Sequence, residues 1–145
     1  MITKTELEIL QGLTKKAPQA FKLGSGEKVV LYAQWFVLEL PKELLDSDFD
    51  WEEPNEEAQA WRTRLPEGTG EYAQAVRWKD PTDGVAIMKL ISDNGVALIQ
   101  AAFYDVVIRR IPEVEFRVFP GEKTPVVVVR SPTGEMIGVT AQVAV

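Results

Sequence analysis

The chain has 145 residues, a formal net charge of −6, and neither cysteine nor histidine. This inventory excludes disulfide bonds, thiol nucleophiles, Ser-His triads and zinc sites built from Cys or His. Since the commonest catalytic side chains are missing, the composition favours a binding protein over an enzyme, and it predicts no cofactor.

The negative charge is concentrated in the middle of the chain. Residues 36–75 carry eleven acidic and three basic groups, whereas residues 76–145 carry eight of each. This distribution disfavours nucleic-acid binding by the whole surface and leaves only a local basic face for it. No apolar run has the length of a membrane span, and Glu6 and Glu8 lie where a signal peptide would be apolar. We therefore predict a cytoplasmic protein without a membrane segment.

The first predicted element is a helix over about residues 4–16, which Pro18 ends. Its start offers two registers of a capping box, one from Thr5 to Glu8 and one from Thr3 to Glu6. Both registers place a hydroxyl three residues before a carboxylate, so the sequence leaves the choice open.

A turn at residues 23–26 then leads into the apolar run VVLYAQWFVLEL, residues 29–40. Its β-branched and aromatic content predicts one long strand. Because both of its faces are mostly apolar, we expect this strand to be central or covered on both sides.

Residues 41–66 form a predicted acidic helical insert. Pro41 and Pro54 each suit the first position of a short helix. In the second helix the acidic residues lie in the first turn and the basic residues in the last, as the helix dipole favours. We expect Trp61 to pack this helix onto the sheet, because it falls on an apolar helical face.

From residue 71 the pattern changes to strands. The segment EYAQAVRW alternates, with Tyr72, Val76 and Trp78 on one predicted face. A turn at residues 80–84 and a hairpin at residues 93–95 separate the strands that follow.

Residues 100–111, QAAFYDVVIRRI, fit either a helix or a strand. We favour a helix, because an apolar stripe and an Asp105–Arg109 pair follow helical spacing. The next three segments, EVEFRVF, TPVVVVR and EMIGVTAQVAV, are separated by turns and predict an antiparallel meander. In the last segment the alternation puts every second residue from Ile137 to Val145 on one predicted face.

The predicted fold class is α+β: a mainly antiparallel sheet with a C-terminal three-stranded meander and two to four short helices packed on one face. We predict a single domain over residues 1–145. The preferred function is non-enzymatic binding or assembly, with self-association as a homo-oligomer. The apolar runs at 29–40 and 126–129 and a terminal strand free to pair favour self-association.

The acidic insert contains the predicted contact with a basic protein partner. Trp51 would add contact area there, because aromatic residues dominate interface energetics. The predicted partner-binding residues are Asp46, Asp48, Asp50, Trp51, Glu52, Glu53, Glu56 and Glu57.

An alternative for the same stretch is a calcium site. Asp46, Asp48, Asp50 and Glu57 occupy positions one, three, five and twelve of an EF-hand loop. Trp51 stands where that loop has glycine for its sharp turn.

A further alternative comes from the order of elements in residues 85–145. VALIQAAFYDVVIRRI, EVEFRVF, TPVVVVR and GEMIGVTAQVAV resemble the last domain of a bacterial DNA sliding clamp. The resemblance implies that basic helix residues face DNA, and it assigns this role to Lys15, Lys16, Arg109 and Arg110. The chain has room for one such domain where a clamp subunit has several, and its AQVAV ending lacks that family's usual Met-Pro.

Overall fold

A computed structural model describes residues 2, 3, 5, 6, 8, 9, 19–23, 28–33, 36–45, 56, 60–82 and 84–140, with the backbone alone described at residues 19–23 and 64. The chain divides into two compact units, Met1–Leu65 and Pro66–Val145. The single domain over residues 1–145 stays a prediction.

The first unit contains a three-stranded antiparallel sheet. Its strands are β1 (Gln19–Leu23), β2 (Lys28–Tyr32) and β3 (Phe36–Pro41), with β2 in the middle. Two short 3-10 segments follow, Lys42–Leu44 and Trp61–Arg64. Each segment ends where the chain becomes extended, at Leu45 and at Leu65.

The prediction of one long strand over 29–40 is wrong, because this run folds back on itself as the β2–β3 hairpin. Val29 lies opposite Leu40. At the turn, the Ala33 N–H donates to the Phe36 carbonyl over 2.9 Å. No Gly, Pro or Asn marks this turn, so sequence patterning could not locate it. The expected cover on both faces is present, since three consecutive residues, 29–31, are fully buried.

The helix start uses the second of the two predicted capping registers. The Thr3 N–H donates to Glu6 Oε1 over 3.1 Å, and the Glu6 N–H donates to Thr3 Oγ1 over 3.2 Å. This reciprocal pair satisfies two amides that the first helical turn leaves without partners. Thr5, Glu6, Glu8 and Ile9 are helical, and the rest of the predicted 4–16 helix lies outside the described residues.

Trp61 packs onto the sheet as the sequence predicts. It is buried against Val30 of β2, and the half-buried Tyr32, Val37 and Leu65 complete the cluster. Beside it, the buried carboxylate of Glu39 accepts hydrogen bonds from Arg62 Nε, at 3.1 Å, and from Nη2. A buried carboxylate needs such a partner, because burial strips away its hydration.

The second unit contains two antiparallel sheets and helix α1 (Ala101–Arg110). In one sheet β6 (Ala86–Ser92) lies between β5 (Gln74–Lys79) and β7 (Gly95–Gln100). The other sheet has the order β4-β8-β9-β10, with ranges Glu71–Tyr72, Glu115–Phe119, Val126–Arg130 and Met136–Thr140.

Both predicted turns of the β5–β6–β7 sheet are confirmed. Asp80 begins the first turn: its carbonyl accepts the Gly84 N–H over 2.8 Å, and its Oδ1 accepts the Thr82 N–H over 2.8 Å. The second turn joins Ser92 to Gly95, which lie opposite each other. Gly95 has a φ of +114°, a conformation that favours glycine.

The ambiguous segment 100–111 forms helix α1, which packs on β6 and β7. Its buried residues, Ala101, Phe103, Val106 and Val107, follow helical spacing. Among the described residues no helix is long and apolar enough to cross a membrane.

The C-terminal meander is confirmed as β8–β9–β10. Its central strand is buried at three consecutive positions, Val127, Val128 and Val129, so both of its faces are covered. A β-bulge between Met136 and Gly138 shifts the register against β9. The predicted alternation toward Val145 therefore changes phase at the bulge, and residues 141–145 lie outside the described residues.

The predicted fold class is confirmed as mainly antiparallel sheet with a C-terminal meander, but the number of helices is corrected. The described residues contain one delimited α-helix and two 3-10 segments. The segment after Pro41 has three helical residues before Leu45 becomes extended, which is too short for an α-helix.

Candidate protein-binding site

Seven of the eight predicted partner-binding residues lie outside the described residues: Asp46, Asp48, Asp50, Trp51, Glu52, Glu53 and Glu57. The eighth, Glu56, is helical and exposed, and its carbonyl accepts the Ala60 N–H over 2.9 Å. Within the described ranges no group of three or more acidic side chains could hold a metal ion. The contact with a basic partner and the calcium site stay predictions.

Two of the four predicted DNA-contacting residues are described. Arg109 and Arg110 are neighbours in the last turn of α1, where positive charge suits the helix dipole. Arg109 is exposed and Arg110 is half-buried. Lys15 and Lys16 lie outside the described residues, so the basic face stays a prediction.

Helix α1 is tied to strand β5 by an ion pair that the sequence did not predict. Arg77 donates to both carboxylate oxygens of Asp105, over 2.6 and 3.2 Å. The predicted pairing of Asp105 was with Arg109, four residues along the helix. The hydrogen bond that Arg77 donates to Asp105, and then the negative charge of Asp105, raise the pKa of the Arg77 guanidinium. This contact identifies the side of β5 that faces α1.

A groove of about 330 Å³ lies where α1 approaches β4, β5 and β8. The Tyr104 ring packs 5.0 Å from the Phe116 ring, and Tyr72 lies across the groove. Burial, and then the nearby Tyr72 and Asp105, raise the pKa of Tyr104, so its phenol stays neutral. The volume is at the lower end for ligand sites. The residues that line the groove include neither histidine nor cysteine.

The opposite side of the β5–β6–β7 sheet carries a second surface, which we call the apolar face. Residues directly opposite each other on antiparallel strands point to the same side, so the register defines this face. Its three rows across β5, β6 and β7 are Gln74–Ile91–Val96, Val76–Lys89–Leu98 and Trp78–Ile87–Gln100. Six of these nine side chains are therefore apolar.

Three aliphatic side chains of the apolar face are exposed to solvent. Val76, Ile91 and Val96 are 42%, 41% and 50% exposed. Trp78 and Leu98 are half-buried, and Ile87 is buried. The α1 side of the same sheet is different, since Leu90 and Ile99 there are fully buried. Large aliphatic side chains thus meet solvent on one side only.

Lys89 is the only charged side chain among the nine, and it occupies the centre of the face. Its Nζ lies 4.8 Å from the centroid of the Trp78 ring. An ammonium at this distance is attracted to the negative face of the indole. The ring therefore holds the positive charge over the apolar face.

Sequence patterning identified only part of this surface. It placed Val76 and Trp78 on one face, but it added Tyr72, which belongs to a different strand, β4, in the other sheet. The chain leaves the strand at Ala73, whose N–H donates to the Phe116 carbonyl over 3.3 Å. Sequence patterning did not assign Ile91 and Val96 to this face. The hairpin at residues 93–95 could have identified them, because its register puts Ile91 opposite Val96.

The chain was compared with protein-family models, curated proteins and solved structures, and none of them matches it.

Proposed function

We propose that this chain is a non-enzymatic binding protein that docks another protein on the apolar face. The observation that carries the proposal is the exposure of three neighbouring aliphatic side chains, Val76, Ile91 and Val96, each more than two-fifths exposed. Exposed single apolar residues are common, but contiguous apolar patches are typical of interaction sites.

The β5 edge of the sheet favours docking on the face over strand addition. Strand β5 is one of the two edge strands, with β7 at the other edge, and it carries Arg77 and Lys79, both exposed. Charged side chains on an edge strand oppose pairing with another strand. The face has no comparable protection apart from Lys89.

A photo-reactive amino acid placed at position 96 tests the proposal, with position 108 as the matched control. The exposed fraction of Ile108, 42%, is similar to the 50% of Val96, but Ile108 lies on α1, on the other side of the sheet. We expect position 96 to give a discrete adduct with one host protein and position 108 to give none.

The cross-linked protein, once identified and purified, would then be titrated against the unmodified chain and against Val96→Asp and Ile108→Asp. We expect Val96→Asp to weaken binding at least about 30-fold, because a carboxylate would be buried against apolar groups. We expect Ile108→Asp to bind nearly as the unmodified chain does. Equal binding by Val96→Asp and the unmodified chain would refute the proposal.

A further inference from the structure

The charge at the centre of the apolar face restricts what can cover it. Lys89 lies in the middle row and in the middle strand, between Val76 and Leu98. A partner that covers the whole face, from the row of Ile91 and Val96 to the row of Trp78, also removes water from the Lys89 ammonium, which lies over the Trp78 ring. A desolvated ammonium needs an acceptor, because burying an unpaired charge is strongly unfavourable.

We infer that the occupant of the apolar face is an amphipathic segment of another protein that carries one carboxylate among apolar side chains. The inference rests on the proposed function and adds the chemistry of the partner to it. The carboxylate would meet Lys89, which the Trp78 ring already holds over the face at 4.8 Å. The surrounding apolar side chains would cover Val76, Ile91, Val96 and Leu98.

A second copy of this chain fits the face less well. In a two-fold symmetric dimer the same patch meets itself, so residues near the axis face their own copies. A dimer whose axis passes through the centre of the face would bring two Lys89 side chains together. Like charges in direct opposition are unfavourable, and inside an interface they cost more than in water. A dimer centred on Lys89 is therefore disfavoured, whereas a partner with a carboxylate at that position is favoured.

The size of the face also fits a segment better than a whole subunit. Three strands about 4.8 Å apart, each about five residues long, give a face of about 250 Å². A stable interface between two globular proteins usually buries about 800 Å² on each side. A single helix or short extended segment lying across the sheet matches the smaller area.

The test uses two synthetic amphipathic helical peptides that differ at one position. Both have the same leucine-rich apolar side, with glutamate at its centre in one peptide and lysine in the other. Each is labelled and titrated with the full chain, and binding is followed by fluorescence anisotropy. We expect the glutamate peptide to bind at least about tenfold more tightly than the lysine peptide.

Variants of the chain then assign that preference to Lys89. Lys89→Glu should reverse the preference, and Lys89→Gln should remove it. Lys123→Glu makes the same charge change at an exposed turn residue outside the face, and it should leave the preference unchanged. Thermal unfolding of each variant checks that it is folded. If Lys89→Glu does not fold, the loss of the preference in Lys89→Gln tests the role of Lys89.

The outcomes separate the inference from the proposed function. If both peptides bind equally and Val96→Asp abolishes both, the apolar face binds but the carboxylate preference is refuted. If Val96→Asp leaves binding unchanged, the proposed function fails as well. Sedimentation of the unmodified chain alone adds one further result. A homodimer that Val96→Asp abolishes would show that a second copy is the occupant and would overturn the inference.

Discussion

The second unit contains two three-stranded meanders that are built alike but buried differently. In β8–β9–β10 the central strand is covered on both sides, and Val127, Val128 and Val129 are all fully buried. In β5–β6–β7 the central strand is covered on the α1 side, where Leu90 is fully buried, whereas Ile91 beside it is 41% exposed. Both central strands are apolar, so apolar content alone does not show whether a face belongs to the core. The comparison teaches that only the packing against other elements distinguishes core from docking surface.

The largest expected effect comes from placing the same charge at one valine in each meander. Val128→Asp should lower the free energy of unfolding by about 4 kcal/mol or more, because it buries an unpaired carboxylate. Val96→Asp should lower it by about 1 kcal/mol at most, since Val96 is 50% exposed. Urea denaturation followed by circular dichroism measures both. Similar losses for the two variants would show that the apolar face is part of the core.

A smaller effect is expected at the glycines that lead into β4, and it tests how tightly the covered meander is packed. A Cβ on Gly70 would lie 2.6 Å from the ring of Phe119, at the end of β8. Gly68 also has positive φ, but a Cβ there would meet nothing within 4 Å.

Gly70→Ala should therefore cost about 2–3 kcal/mol, from backbone strain and overpacking together. Gly68→Ala should cost about 1 kcal/mol, from backbone strain alone. Denaturation midpoints at constant m-value measure the difference. Equal costs would mean that the Phe119 ring moves aside freely and that the end of β8 is loosely packed.

The smallest effect concerns Tyr104, through which α1 contacts β8. Burial raises the pKa of its phenol above the ordinary value of 10.0. The unfolded chain therefore loses this proton at a lower pH than the folded chain does. Its contribution to stability is complete below pH 10 and is lost as the pH rises through the folded-state pKa.

Tyr104→Phe removes this ionisation, so its stability should fall less steeply above pH 10 than that of the unmodified chain. Urea titrations between about pH 9 and pH 11 measure the two slopes. Tyr72→Phe should change the slope less than Tyr104→Phe does, because the nearby Tyr72 is a smaller cause of the raised pKa of Tyr104 than burial is. Identical slopes for Tyr104→Phe and the unmodified chain would contradict the burial of this phenol.

Local signals in the sequence predicted many of the elements. The hairpin at residues 93–95, the turn from Asp80 to Gly84 and the C-terminal meander all have residue types that constrain the backbone by themselves. The α1 helix was predicted from the spacing of its apolar residues. The β2–β3 hairpin was missed, because Ala33 and Phe36 carry no turn signal and both halves of the run are equally apolar.

The sequence by itself determined that this protein has no thiol or imidazole, that it is rich in antiparallel strands, and where most turns of the second unit lie. These properties depend on residue type and on contacts close in sequence. Only the tertiary structure decided that Val76, Ile91 and Val96 share one exposed face with Lys89 at its centre. The physical reason is that α1 can cover one side of its sheet, and no local pattern specifies which apolar side that will be.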